Sequence, residues 1–277
     1  MSTAIDDHVR AIRMGLRAAP AFIVVEGQTD KALLKRLIHE SVVMVIAGGK
    51  DALYEVATKL SAYPTVMAVA DQDYDVVLGR TIPPNVAHWE LCDAEATCLL
   101  FGGLDFIVDS YCSSAKVDAF CSAAGANLAD VLVSRLSAVG ALRFVSARDG
   151  LNLSFSSVPM SGFINKDTLD IDLDRWALAL LSKAGLAPKL WPRLRTDIGQ
   201  VLATLAPEQL VRGHDLAVLL AGGARSLLGS RKASIDELAK DIEITLRGTL
   251  QAASLRTMAV GQRVSALEAQ LGVSIFR

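Results

Sequence analysis

Aromatic residues are scarce, 5% of 277, so the chain lacks the stacked rings on which single-strand nucleic-acid binders lay bases. Long apolar runs are missing too. Mean hydropathy is positive, +0.37, yet the richest stretches are broken by Lys, Asp or Gly short of the ~20 residues a spanning helix needs. The four cysteines, Cys92, Cys98, Cys112 and Cys121, form no CxxC pair and have no histidine spaced to complete a zinc site. Free, mostly buried thiols are expected. There is no Walker A motif, so ATP hydrolysis would have to come from a partner. No repeat or low-complexity tract interrupts the chain. Nor is there a basic excess: the net charge is −2, so any nucleic-acid contact has to be local, metal-assisted or supported by a partner. The opening MSTAIDDHVRAIRMG carries acids where a secretory leader carries bases, which predicts a cytoplasmic protein without membrane contact.

What is present is a large apolar fraction, 52% against 21% charged, enough to bury a core and to leave sticky surface for a subunit interface. Residues 3–18 read as an amphipathic helix with Ile5, Val9, Ile12 and Leu16 on one face and Arg10, Arg13 and Arg17 on another. Apolar strands follow at 21–25, 42–46 and 65–70, separated by helices over about 29–40 and from Lys50 to Ser61. This alternation predicts an α/β fold with a parallel sheet, and strands apolar throughout predict helices on both of its faces. VAHWEL (86–91) reads as a fourth strand, and 93–101 as a helix stopped by Gly102-Gly103. Later segments are mainly helical: 116–138, 174–185, 207–221, 235–248 after a Ser234/Glu237 capping box, and 254–270. LNLSF and TLDIDL alternate as a small β element would. A boundary near 110 separates 1–110 from a mainly helical 111–277.

Functional groups gather at the carboxyl ends of strands in open parallel sheets. Here the first strand runs into Glu26-Gly27-Gln28-Thr29-Asp30, the third into Asp71-Gln72-Asp73-Tyr74-Asp75, and the fourth is followed by Asp93-Ala94-Glu95. Asp and Gly after a strand are also ordinary turn and cap chemistry. Three acidic clusters on one sheet edge, however, form a set of hard oxygen donors suited to Mg²⁺ or Mn²⁺, which bind phosphate oxygens in their open positions. Lys50, on the Gly-Gly turn after the second strand, is a candidate phosphate contact or an exposed first-turn lysine. Lys31, Lys35 and Arg36 are candidates for a nucleic-acid backbone, and Lys189, Arg193 and Arg195 form a second basic cluster. His214, between Arg212 and Asp215, reads as a structural or interface histidine.

The series VVEGQTDKALLKRL, IAGGK, AVADQDYD, LCDAEATCLL and, more weakly, RGHDLAVLL resembles the stand-alone TOPRIM family that includes the effector subunit of the PARIS phage-defence system. It is related to OLD-type nucleases. The resemblance covers roughly 20–110 and implies a TOPRIM-type sheet with flanking helices. By position it makes Glu26 the acid/base glutamate and Asp71 and Asp73 the metal ligands. Asp75 is a supporting carboxylate of the metal set, Asp93 and Glu95 an added acidic pair completing a second metal site, and Asp30 and Lys50 supporting groups. It further implies a toxic effector cutting RNA, with tRNA preferred over DNA, held by an ABC-type ATPase and a homodimer once free. The helical part would serve dimerisation or partner binding. A DNA-cleaving OLD-like nuclease and a non-catalytic interaction subunit are the competing expectations.

Overall fold

The computed structural model describes residues 4–277. In chain order the elements are α1 (Ala4–Gly15), β1 (Phe22–Val25), α2 (Gln28–Lys35), β2 (Val43–Ile46), α3 (Lys50–Lys59), β3 (Val66–Ala70), β4 (Val86–His88) and α4 (Ala94–Cys98). Then come α5 (Leu104–Tyr111), α6 (Ser114–Ala124), α7 (Leu128–Arg148), α8 (Leu173–Lys183), α9 (Trp191–Thr204), α10 (Gly213–Arg225), α11 (Ile235–Thr249), α12 (Ala252–Thr257) and α13 (Ala259–Leu271). They form two compact units, one of residues 4–94 with 250–277, the other of 95–249. The first unit thus ends earlier than 110 and takes back the last 28 residues of the chain. No helix among the described residues is long and apolar enough to cross a membrane.

The first unit is α/β. Its four strands are all parallel in the order β2-β1-β3-β4. Alternate side chains of the strands, Phe22, Val24, Val66, Ala68, Ala70 and Val86, pack with Val9 and Ile12 of α1 and Leu53, Val56 and Ala57 of α3. This is the apolar stripe the spacing of α1 predicts. Opposite-facing Ile23, Val25, Val69 and Ala87 are buried as well. Each Ile or Val among them contributes about 1.5–3 kcal/mol when fully buried. β2 departs from the expectation. It is an edge strand, and Val43 is exposed. Helix α2 stops at Lys35 because the chain beyond it turns to pair: Ile38 bridges Phe276, and Arg277 N–H donates to the Leu37 carbonyl at 2.9 Å.

The second unit is helical. The segment expected as one helix over 116–138 is two, α6 and α7, divided at Gly125, whose φ of 66° is a left-handed stop. Asn127 then caps α7 by accepting the Asp130 N–H at 2.9 Å. Gly102-Gly103 kinks the chain instead of ending it, with Gly102 at φ 117° and α5 following directly. LNLSF forms no strand, and TLDIDL contributes one isolated bridge, Ile164–Ile171. At 207–221 a single 3-10 turn at Pro207–Gln209 precedes α10, which starts only at Gly213. The Ser234/Glu237 capping box is present, its Ser234 hydroxyl donating to Glu237 at 2.7 Å. Arg143 of α7 and Asp215 of α10 make a bidentate pair at 2.7 and 2.8 Å, with Asp215 2% exposed. All four cysteines are free; Cys92 and Cys98 are buried, Cys112 and Cys121 only partly.

Candidate metal centre

β1 delivers Glu26 immediately past its carboxyl end, and neighbouring β3 delivers Asp71 at the same edge. The two are tied directly: the Asp71 N–H donates to Glu26 Oε1 at 3.0 Å. Glu26 also anchors the turn after β2, since its carbonyl accepts the N–H groups of Gly48 and Gly49, both at 3.1 Å. Those glycines stand at φ 90° and 131°, a region that side chains rarely adopt. The turn opens α3 at Lys50, so its geometry sets where that ammonium lies. Asp73 sits at φ 44° and its N–H donates to the Cys92 carbonyl at 2.7 Å. This swings the Asp71-Gln72-Asp73 segment out of the strand, and the Ala94 N–H closes the far side by donating to Asp71 Oδ1 at 3.1 Å.

Charge defines the centre. Burial pushes the Asp71 carboxyl up to about 9, helped by the charges of Asp93, Asp30, Glu26 and Asp73. Burial likewise raises Glu26, opposed by Lys50 and by the Asp71 N–H. Lys50 faces the set, its Nζ 2.5 Å from Asp73 Oδ2 and 3.1 Å from Asp75 Oδ2. Burial works against its charge, but those carboxylates outweigh it and raise its pKa. The acidic groups therefore remain short of positive charge, the condition in which hard oxygen donors favour a divalent cation. Among the described residues no three His, Cys, Asp or Glu side chains are spaced to ligate one ion as they stand. Glu26 is turned to the Asp71 amide and Asp73 to Lys50.

The remaining expected residues divide. Asp30 accepts the Gly27 N–H at 2.9 Å, bracing the start of α2 beside Glu26. Asp75 is 3% exposed, and its oxygens are engaged by Lys50, by Arg80 at 3.1 Å and by the Tyr54 hydroxyl at 2.8 Å. Asp75 thus organises the charges around Asp73. Asp93 acts on Asp71 by its charge. Glu95 belongs to the helical unit and is 3.4 Å from Arg247 of α11.

Two groups at the site are not singled out by the sequence pattern, Tyr54 and His88. The Tyr54 hydroxyl is 2.7 Å from His88 Nε2 as well as bonded to Asp75. Burial and then Lys50 lower the His88 pKa, while burial and Asp75 raise that of Tyr54. The signal existed: Tyr54 is one helical turn beyond Lys50, and His88 ends β4 at the same sheet edge. The other basic cluster is partnered within its own unit, Arg193 with Asp149 and Asp197, and Arg195 with Asp174. His214 Nδ1 lies 2.6 Å from Glu243, within the helical unit. No protein-family model matches the chain, and no curated protein matches it.

Proposed function

We propose that the chain is a TOPRIM-type, metal-dependent phosphodiesterase that cuts RNA, with tRNA preferred over DNA, as the effector of a phage-defence system under an ABC-type ATPase. The observation that supports this most is the pairing of Glu26 and Asp71 at the carboxyl ends of adjacent parallel strands, inside a carboxylate set short of positive charge. Phosphodiester hydrolysis needs an activated oxygen nucleophile, neutralised phosphate charge and a proton for the leaving oxygen. Mg²⁺ or Mn²⁺ held by Asp71 and Asp73, beside Glu26, would supply the first two when bound.

Glu26 is the proton-transfer group. Its raised pKa lets the carboxyl accept and return a proton closer to neutrality than an exposed glutamate does. Lys50 adds positive charge beside Asp73, positioned by the Gly48-Gly49 turn and restrained by Asp75. Tyr54 and Arg80 hold Asp75 in place, so these residues position the site without touching phosphate. The choice of RNA rests on the family resemblance and on the low overall basicity, which suits a compact folded substrate better than a long duplex.

The test is cleavage of tRNA and of duplex DNA by purified protein with Mg²⁺ or Mn²⁺, compared with Glu26→Gln, which keeps shape but cannot take the proton. Cut tRNA and an inert Glu26→Gln are expected. Cut DNA beside intact tRNA overturns the RNA choice, and cleavage that survives Glu26→Gln overturns the site.

A further inference from the structure

We propose that the cleft between α2, the β2 edge and Arg277 is a track for an RNA phosphate backbone, an inference that rests on the nuclease reading above. The cleft encloses about 270 Å³ and is lined by Lys31, Lys35, His39 and Arg277, with Glu40 as its carboxylate and Met44 on its floor. On a chain whose net charge is −2, this is a concentrated local surplus of cations, the footprint that phosphate contacts require.

The arrangement is built. α2 starts two residues after Glu26 and carries Lys31 and Lys35 one turn apart, both on the cleft. Four residues of helix separate them by about 6 Å along the axis, a step comparable with that between successive phosphates of a strand. Neither ammonium has an ion-pair partner among the described residues. Arg277 reaches the same cleft from the far end of the sequence. It is anchored through its N–H on the Leu37 carbonyl at 2.9 Å and through Nε on the Ile38 carbonyl at 3.0 Å. That leaves the two terminal NH₂ groups of the guanidinium, a fork that matches phosphate oxygens. His39 is oriented by its Nδ1 contact with Ser41 Oγ at 2.8 Å, which leaves Nε2 for a ligand. β2 is an edge strand, so no further strand of the sheet closes the cleft on that side.

Contact with the phosphate backbone fits the chemistry better than base stacking or base readout does. The lining offers point charges and one guanidinium, and it carries no aromatic ring apart from the imidazole of His39.

The experiment uses full-length Glu26→Gln protein and a fluorescein-labelled single-stranded RNA, with anisotropy measured over a range of salt. Adding Lys31→Glu, Lys35→Glu and Arg277→Glu should weaken binding at least tenfold. It should also flatten the salt slope by about 0.7 for each phosphate that is no longer neutralised. Lys31→Gln with Lys35→Gln, Arg277 kept, should show a smaller effect of the same kind. It covers the case in which Arg277→Glu disturbs the Ile38–Phe276 bridge. Unchanged affinity and slope in both variants overturns the track, as does absence of RNA binding by the Glu26→Gln parent. RNA binding that depends on these residues, beside failure of the unsubstituted protein to cut any nucleic acid, leaves the track standing and overturns the nuclease reading.

Discussion

Removing the carboxyl that has to take up a proton on folding should stabilise the metal-free protein, and Asp71→Asn is the cleanest way to do it. Asn keeps an oxygen to accept the Ala94 N–H, which lies 3.1 Å from Asp71 Oδ1, so no buried donor is orphaned. What disappears is a carboxylate that burial and four like charges oppose. An aspartate titrates near 3.8 in the unfolded chain and is pushed up to about 9 here. Between those values the folded protein binds more proton than the unfolded chain, so stability falls as pH rises. Below 3.8 both states are protonated and the penalty is absent; above about 9 both are ionised and it is complete.

A tenfold change in proton affinity is worth about 1.36 kcal/mol. With hydration and side-chain rotation compensating most of the cost, we expect Asp71→Asn to gain about 2 kcal/mol near neutral pH. That corresponds to a rise of about 8 °C in the melting of the sheet unit. The assay is thermal denaturation in EDTA across a pH series. The wild type should lose stability with rising pH more steeply than Asp71→Asn, in which the raised Glu26 keeps part of the slope. A variant that melts no higher than wild type at neutral pH, or that keeps the wild-type slope, refutes the reasoning.

Glu268 should behave with the opposite sign. Burial opposes its charge, but the Phe276 and Ile275 N–H groups and Arg256, each at 2.8 Å, prevail and lower its pKa. The stability it confers is therefore present above 4.5 and lost as pH falls through the lower folded value, so the protection of the Ile275 and Phe276 amides against exchange, taken relative to the intrinsic rate, should fall in acid. Glu268→Gln should remove that pH dependence; protection in the wild type that stays equally high in acid would count against it. In the helical unit, Asp215→Ala leaves the Arg143 guanidinium buried without its partner and should cost about 3–5 kcal/mol in chemical denaturation. A decrease below about 1 kcal/mol would mean that solvent reaches Arg143 freely.

Most of the sheet is legible because β1, β2 and β3 are apolar runs of four or five residues that lead into Glu26, Ala47-Gly48-Gly49 and Asp71. The same punctuation puts Glu26, Asp71 and Asp73 at strand ends. The residues that tune these carboxylates are harder to find. Tyr54 and His88 meet only because α3 and β4 converge on Asp75, a relation 21 to 34 residues apart in sequence. α9 escapes the periodicity reading although Leu194, Ile198 and Val201 are buried at steps of four and three. Pro192 and three nearby basic residues disguise that stripe, although proline in a first turn is permissible. The return of 250–277 to the first unit depends on contacts of high sequence separation, such as the Ala259 N–H donating to Glu90 at 2.5 Å. LNLSF shows the reverse error, since alternation without a pairing partner does not make a strand.

The central claim is that Asp71 and Asp73 hold a divalent cation. Calorimetric titration of the full-length protein with Mn²⁺ and with Mg²⁺ tests it most directly, with Asp71→Ala/Asp73→Ala compared under the same conditions. The account predicts saturable binding to the wild type and none to the double variant, whose circular dichroism stays that of the folded protein. Equal binding by the two proteins would contradict it.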